Sequence, residues 1–363
     1  MNLYLIYGGK SAEHEVSLKS AYSILQIIYY EYYTVIPVYI TREGQWLKGK
    51  PIKTKDQLPT KEELSETDEK EPFIFNEMME EESVAFPVLH GPNGEDGTVQ
   101  GLFEVLGIPY VGAELLTSAV GMDKIVSKRV FKDAGLPVLP FEEVRLNDWT
   151  VDPQEVMGNL EAAMAYPMYV KPVNMGSSVG VTKADNKEEL ELAITLAYEY
   201  DTRIVVEKGE EVREIEVALL GNEDIHTSVP GELIKHKSFY DYEDKYLNDK
   251  VIRQVPAEIP DELTKELRAL AVKAFHAING SGVSRVDFFL TEDNSVYINE
   301  INTFPGFTQN SMYPRVWAKT GLPYADLIEE VIQLGIRRYK DKKQMTTHRK
   351  DIDDIDLEEE TEQ

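Results

Sequence analysis

The spacing of apolar and polar positions changes period repeatedly along the chain, and each change predicts an element. LYLIYGG near the start reads as a strand running into a glycine turn. A helical period then holds from about Glu15 to Ile28, and Tyr33 to Ile40 is the next strand. This βαβ rhythm predicts a parallel sheet. VAFPVLH (84–90) is a third strand, closed by the polar turn GPNGEDGTVQG, in which Gly91, Gly94 and Gly97 call for a tight, exposed backbone. A helix from Thr98 to Leu106 and a strand IPYVG complete the unit. From Ser118, SAVGMDKIVSKRVFKDAG predicts one amphipathic helix stopped by Gly135 and Pro137. A strand FEEVRL, a helix over 152–165, a strand–loop–strand PMYVKPVNMGSSVGVTKA, a helix over 186–200 and two strands in TRIVVEKGEEVREIEVALLG follow. Helices over 260–279 and 324–340 flank the last strands, and no internal repeat is visible.

Those last strands carry the densest chemistry. GVSRVDFFL alternates, with Val283, Arg285, Asp287 and Phe289 on one face and Ser284, Val286, Phe288 and Leu290 on the other. TEDNS is a turn, and VYINEIN returns with Glu300 and Asn302 on one face. A closed hairpin gathers two carboxylates and an amide oxygen beside Arg285. These are hard oxygen ligands of the kind Mg²⁺ takes while leaving room for phosphates; a solvated strand face is the plainer alternative. Beyond the hairpin, Gly306 lies in a tight turn and Ser311 at the start of a short helix ending before Gly321, where a hydroxyl suits a carboxylate or phosphate.

Other candidates lie upstream. NMGSSVG lacks the GK[ST] of a P-loop, but small residues between two strands can fold over phosphates, with the hydroxyls of Ser177 and Ser178 and backbone donors at Gly176. Lys171 precedes that loop on an apolar strand, where an unpaired lysine is costly. Glu15 lies at a helix start on the carboxyl edge of the first strand, either a ligand group or only a partner of the helix dipole. His90, at a strand end, is a core histidine or a site residue; with no HExxH pattern, zinc is not expected. SFYDYEDKY (238–246), with Lys245 and Tyr246, reads as a loop able to close over a substrate. The turn GGKSAEHE lacks the dinucleotide spacing of three glycines, so no nicotinamide cofactor is expected.

Composition narrows the class. At 363 residues the chain exceeds one ordinary core. It has no cysteine, which removes disulfides, thiolate metal sites and a cysteine nucleophile. Lys and Arg number 38 against 65 Asp and Glu, a net charge of −27 that repels nucleic acid. No apolar run spans a membrane, and the N-terminus reads as a strand, not a signal peptide, so a cytoplasmic protein without membrane insertion is expected. Two acidic stretches, 61–82 and the tail 351–363, are expected to be solvated or disordered.

Taken in order, MNLYLIYGGKSAEHEVSLKSA, LHGPNGEDGTVQG, MDKIVSK, VKPVNMGSSVG, VEKGEEVREIEVALLG, FYDYEDKY, SRVDFF and INEINTFPGFTQNSMYP resemble the D-alanine–D-alanine ligase family of the ATP-grasp superfamily, from residue 1 to about 340. The resemblance implies an α/β (α+β overall) fold of three domains: an N-terminal parallel α/β substrate domain (1–120), a central ATP-grasp domain (121–212) and a C-terminal ATP-grasp and metal domain (213–348), with the acidic tail (349–363) outside. It implies ATP as co-substrate, two Mg²⁺ (or Mn²⁺) on Asp287, Glu300 and Asn302, and a homodimer. Glu15 would hold the ammonium of the first D-alanine and connect through Ser177 to Tyr246, with His90 lining that site. Lys124 and Lys171 would meet the ATP phosphates under the loop of Gly176, Ser177 and Ser178. Glu207 and the Lys208 backbone would meet the adenine, and Glu214 the ribose. Arg285 and the Gly306 N–H would form the oxyanion hole, and Lys245 and Ser311 would bind the second D-alanine. In the family a tyrosine at position 246 goes with D-alanine and a phenylalanine with D-lactate. Phe304 departs mildly from the pattern, standing where relatives often have Met or Ser, and so does Val173, where a small residue is common. A depsipeptide ligase and a non-catalytic ATP-binding scaffold are the alternatives.

Overall fold

The computed structural model describes residues 1–80, 82–234, 252–346 and 349. Three sheets organise them. The first is built from β1 (Asn2–Gly8), β2 (Thr34–Ile40), β3 (Trp46–Lys48), β4 (Glu71–Pro72) and β5 (Ser83–Val88), in the order β4-β3-β2-β1-β5. β1 runs parallel to both β2 and β5, as the βαβ rhythm predicts, with α1 (His14–Ile27) as the crossover. β1 and β5 are buried almost along their whole length, which is what covering both faces of a parallel sheet requires. IPYVG does not form a further strand; it contributes a single parallel bridge, Ala85 to Tyr110, after α2 (Thr98–Leu106).

The stretch 61–82 departs from expectation. Its acidic residues face water, but Leu64, Phe73 and Met78 are buried against the first sheet, and the Tyr7 hydroxyl donates to the Leu64 carbonyl at 3.1 Å. Three apolar anchors are enough to order a segment whose net charge suggests otherwise. The acidic tail lies outside the described residues.

The helix expected from Ser118 is two helices, α3 (Leu115–Met122) and α4 (Lys124–Asp133). Asp123 between them is extended (φ −77°, ψ 104°) and its carboxylate caps α4 by accepting from the Ile125 and Val126 N–H groups at 3.0 and 2.8 Å. Arg203 fixes the same carboxylate at 2.6 Å. The break places Lys124 at the first turn of a new helix, aimed at the next sheet.

That sheet has the order β6-β9-β7-β8 and is antiparallel: β6 (Phe141–Arg145), β7 (Met168–Pro172), β8 (Thr182–Ala184) and β9 (Arg203–Lys208). Helices α5 (Leu146–Val151), α6 (Pro153–Ala163) and α7 (Lys187–Ala197) accompany it, and Val144, Leu160, Met168, Ile194 and Val206 form its core. The third sheet runs β13-β12-β10-β14-β15, with β11 also on β10. Its strands are β10 (Val212–Gly221), β11 (His226–Thr227), β12 (Gly231–Ile234), β13 (Ile252–Gln254), β14 (Gly282–Thr291) and β15 (Val296–Asn302). α8 (Asp261–Ala277) packs Phe275 against Phe288 and Ile298 of this sheet and Phe131 of α4. Finally, α9 (Met312–Thr320) and α10 (Tyr324–Lys343) bring Tyr313, Leu327 and Val331 into one core with Leu3, Leu5 and Phe86 of the first sheet. α9 and α10 therefore pack on the sheet with which the chain begins, and the glycine turn after β1 comes to face the hairpin of β14 and β15.

Candidate active site

The hairpin closes with the expected faces together. Asp287 stands opposite Glu300 and Arg285 opposite Asn302, with a bulge after Asp287. Val286, Phe288 and Leu290 are buried on the other face, so the polar groups are held on one side by burial of their neighbours. Arg285 donates to both Asp287 oxygens, at 2.6 and 2.7 Å, and lies 3.0 Å from Glu216 on β10. Burial would push its guanidinium down, but Asp287 and then Glu216 more than reverse this, so it stays charged. Asn302 also donates to Asp287, at 2.9 Å, and Lys124 reaches within 3.6 Å of Glu300.

Opposite the hairpin lies a carboxylate, and it is Glu13, not Glu15. Glu13 is buried and Ser177 donates to it across the cavity. Glu15 sits in the first turn of α1 with its side chain 61% exposed, 2.8 Å from Arg42. The reason is helical geometry: Glu13 is the last residue before α1, while Glu15 is on the helix itself and projects from its outer face. The Glu13 carboxylate is also enclosed by glycines. A Cβ on Gly91 or on Gly176 would come within 2.7 Å of its Oε2.

His90 closes this end, 3% exposed, with Nε2 3.0 Å from the Ser20 hydroxyl and its ring against Phe304. Burial pushes its pKa down, so it is neutral. Beside it Glu95, which sequence reasoning missed, accepts the Gly91 N–H at 2.8 Å. Burial, reinforced by Glu13, pushes the Glu95 carboxyl up to about 8. Folded protein thus holds a proton there that an unfolded chain, with an ordinary value of 4.5, has released. Stability must therefore fall as pH rises between those values. Glu95→Gln is expected to remove that slope: its melting temperature gains on the parent by several degrees between about pH 5 and about pH 9. A constant difference across a calorimetric pH series would refute the assignment.

Loop 173–181 crosses the cavity from the central sheet. Ser177 and Ser178 both adopt left-handed backbone (φ 52° and 60°), conformations that non-glycine residues hold only where surroundings impose them. Lys124 donates to the Met175 carbonyl at 2.7 Å, tying the loop to α4. One cavity is lined jointly by Glu13, His90, Glu95, Lys124, Gly176, Ser177, Arg285, Glu300, Asn302, Phe304 and Gly306. Glu13 and Gly306, 293 positions apart in sequence, meet there.

Not every expected residue faces it. The Glu207 carboxylate does not reach out for a base: it is buried between Lys171 and Lys128, the latter at 2.5 Å. Burial would raise its pKa, yet the two lysines hold it down at about 2. The Lys208 N–H donates to the Pro140 carbonyl at 3.0 Å, and its ammonium pairs with Glu210. The Glu207 carboxylate and the Lys208 N–H are thus both engaged within the protein in this structure. Glu214 is half-buried on β10, paired in register with Phe289. Ser311 precedes α9 and accepts from the Thr308 N–H at 3.2 Å. Lys245 and Tyr246 lie outside the described residues.

Family models describe the two ends of this arrangement. "D-ala D-ala ligase N-terminus" matches residues 2–113 and "D-ala D-ala ligase C-terminus" matches residues 130–333. The chain belongs to the D-alanine–D-alanine ligase family. A D-alanine–D-alanine ligase of Enterococcus hirae is 51% identical over 352 residues, covering 94% of this chain and 98% of its own. One from Listeria monocytogenes is 47% identical over 358 residues, covering 94% and 96%. Among solved structures, the D-alanine–D-alanine ligase of Coxiella burnetii superposes with a TM-score of 0.83 at 32% identity, covering 94% and 96%. The VanG D-Ala:D-Ser ligase of Enterococcus faecalis superposes at 0.81 and 35%, covering 92% and 99%. The fold is the ATP-grasp fold of D-alanine–D-alanine ligases.

Proposed function

We propose that the chain joins two D-alanines to D-alanyl-D-alanine at the expense of ATP, through an acyl phosphate, supplying the cell-wall peptide. The observation that carries this reading is the single cavity in which Glu13 faces Arg285 and Lys124 across the glycine-serine loop. Joining a carboxylate to an amine in water is uphill, so the carboxylate must first be activated. An ammonium held by Glu13 leaves the carboxylate of the first D-alanine turned towards the cationic end. There it attacks the γ-phosphorus, and ADP leaves. Lys124 and Lys171 offset the charge that gathers on the transferring group. The amine of the second D-alanine then attacks the acyl carbon, and the oxygen that becomes negative is met by Arg285 and the Gly306 N–H. Such donors are worth about 3–4 kcal/mol each in comparable enzymes. Phosphate is expelled as the peptide bond forms. Loop 173–181 shields the acyl phosphate from water.

The donor set Asp287, Glu300 and Asn302 fits magnesium: all oxygen ligands, on one face of the hairpin, with Asp287 opposite Glu300 in register. Among the described residues no three carboxylate or imidazole side chains close on one point; here the third ligand is an amide. Arg285 and Lys124 already rest on these carboxylates, so the site attracts cations. Two Mg²⁺ (or Mn²⁺) ions held there would supply charge neutralisation of the triphosphate. Among the described residues no helix is long and apolar enough to cross a membrane. The family resemblance leads us to propose a cytoplasmic homodimer as well.

Purified protein given ATP, Mg²⁺ and D-alanine is expected to release ADP, phosphate and the dipeptide in equal amounts. ADP release only with D-lactate present would instead make the chain a depsipeptide ligase. ATP binding without turnover on any D-amino or D-hydroxy acid would leave a scaffold.

A further inference from the structure

Two lysines converge on one carboxylate in the wall of the nucleotide side. Lys128 of α4 lies 2.5 Å from one Glu207 oxygen and Lys171 of β7 pairs with the other. Asn299 of β15 ties both down: its carbonyl accepts from Lys128 at 2.7 Å and its side-chain oxygen from Lys171 at 3.2 Å. Burial pulls the Lys128 pKa down and Glu207 opposes this; with both lysines protonated the cluster of three groups carries one positive charge in excess. Its two cations are not equivalent. The Lys128 side chain is 2% exposed and has nowhere else to go, whereas that of Lys171 is 11% exposed and its ammonium stands 5.7 Å over the Phe289 ring on the polar face of the third sheet.

We propose that Lys128 is the resident counter-ion of Glu207, a positioning residue that lets Lys171 change partner when nucleotide binds. This rests on the reading above, in which Lys171 meets ATP. A buried carboxylate cannot be left unpaired without a large penalty. If Lys171 were its one cation, Glu207 would hold Lys171 away from the phosphates. With Lys128 fixed on the other oxygen, Lys171 departs and Glu207 stays neutralised. Nothing in the exchange touches Glu13 or its neighbours, so its effect is confined to nucleotide.

The test measures ADP binding by calorimetry in the presence of Mg²⁺, alongside steady-state KM values on the full chain. Lys171→Met is the control for the underlying reading: unchanged ADP affinity there would overturn that reading and this inference with it. Given weakened binding in Lys171→Met, Lys128→Met is expected to raise the ADP Kd and the KM for ATP about tenfold or more, with KM for D-alanine within about twofold. Adding Glu207→Gln to Lys128→Met is expected to recover ADP affinity to within about threefold of the parent, because Lys171 then has no competing carboxylate. Unchanged ADP affinity in folded Lys128→Met, or an equal loss in KM for D-alanine, overturns the proposal. If Lys128→Met does not fold, the double variant decides alone: an ADP loss as large as that of Lys171→Met overturns it, and near-parental affinity supports it.

Discussion

Glu13→Gln is expected to lower kcat/KM for the first D-alanine by about a hundredfold or more, while Glu15→Gln leaves it within about twofold. The two carboxylates are two residues apart and carry the same charge, so the contrast isolates environment. Glu13 is 7% exposed, accepts from Ser177 and is walled by Gly91 and Gly176. An ammonium bound there is paired out of water, and removing one partner of such a pair costs about 3–5 kcal/mol. Glu15 meets Arg42 with both side chains more than half exposed, where an ion pair contributes about 0–1 kcal/mol. Glutamine keeps the shape and one acceptor at either position, so protein folding is not at issue. Two-site kinetics, resolving the tight from the weak D-alanine, checks the result. Equal losses at both positions, or a larger one at Glu15, would return the ammonium site to the helix.

The contrast also shows where sequence reading stops. The motif SAEHE contains both carboxylates, and the choice between them turns on where α1 begins. Helix starts are legible through a cap, but Glu13 makes no side-chain cap hydrogen bond, so the usual signal is missing. The same holds in reverse at Asp123, whose cap lies inside a run with an unbroken helical period. By contrast the two faces of the hairpin of β14 and β15 were readable, because alternation along β14 leaves one face apolar and so assigns the other, while the bulge after Asp287 was not. Glu95, Lys128 and Glu216 give no such signal. Each looks like an ordinary charge in its own segment and becomes a buried one only when a distant strand or helix covers it. Burial of charge is a tertiary property, and local pattern does not encode it.

Glu300→Gln is expected to reduce kcat by about a thousandfold or more while moving the melting temperature by only a few degrees. Glu300 is held on β15 opposite Asp287, its side chain 29% exposed, with Lys124 3.6 Å away. Its neighbours on the strand, Ile298 and Ile301, are buried, so the backbone position does not depend on the carboxylate. The substitution therefore removes a charge and little else. What it removes is a hard anionic oxygen at the point where the proposed reaction brings phosphate and carboxylate together. A neutral amide binds a divalent cation more weakly, and Lys124 loses its acidic neighbour. Both changes act on the reacting end of the cavity, and neither acts on Glu13. The expected signature is thus a collapse in kcat with a raised Mg²⁺ requirement and a nearly unchanged KM for the first D-alanine. Thermal melts, metal titration and steady-state rates separate these effects. Parental turnover in folded Glu300→Gln would remove Glu300 from the magnesium ligands and leave Asn302 and Asp287, the latter already doubly bound by Arg285, to account for the metal.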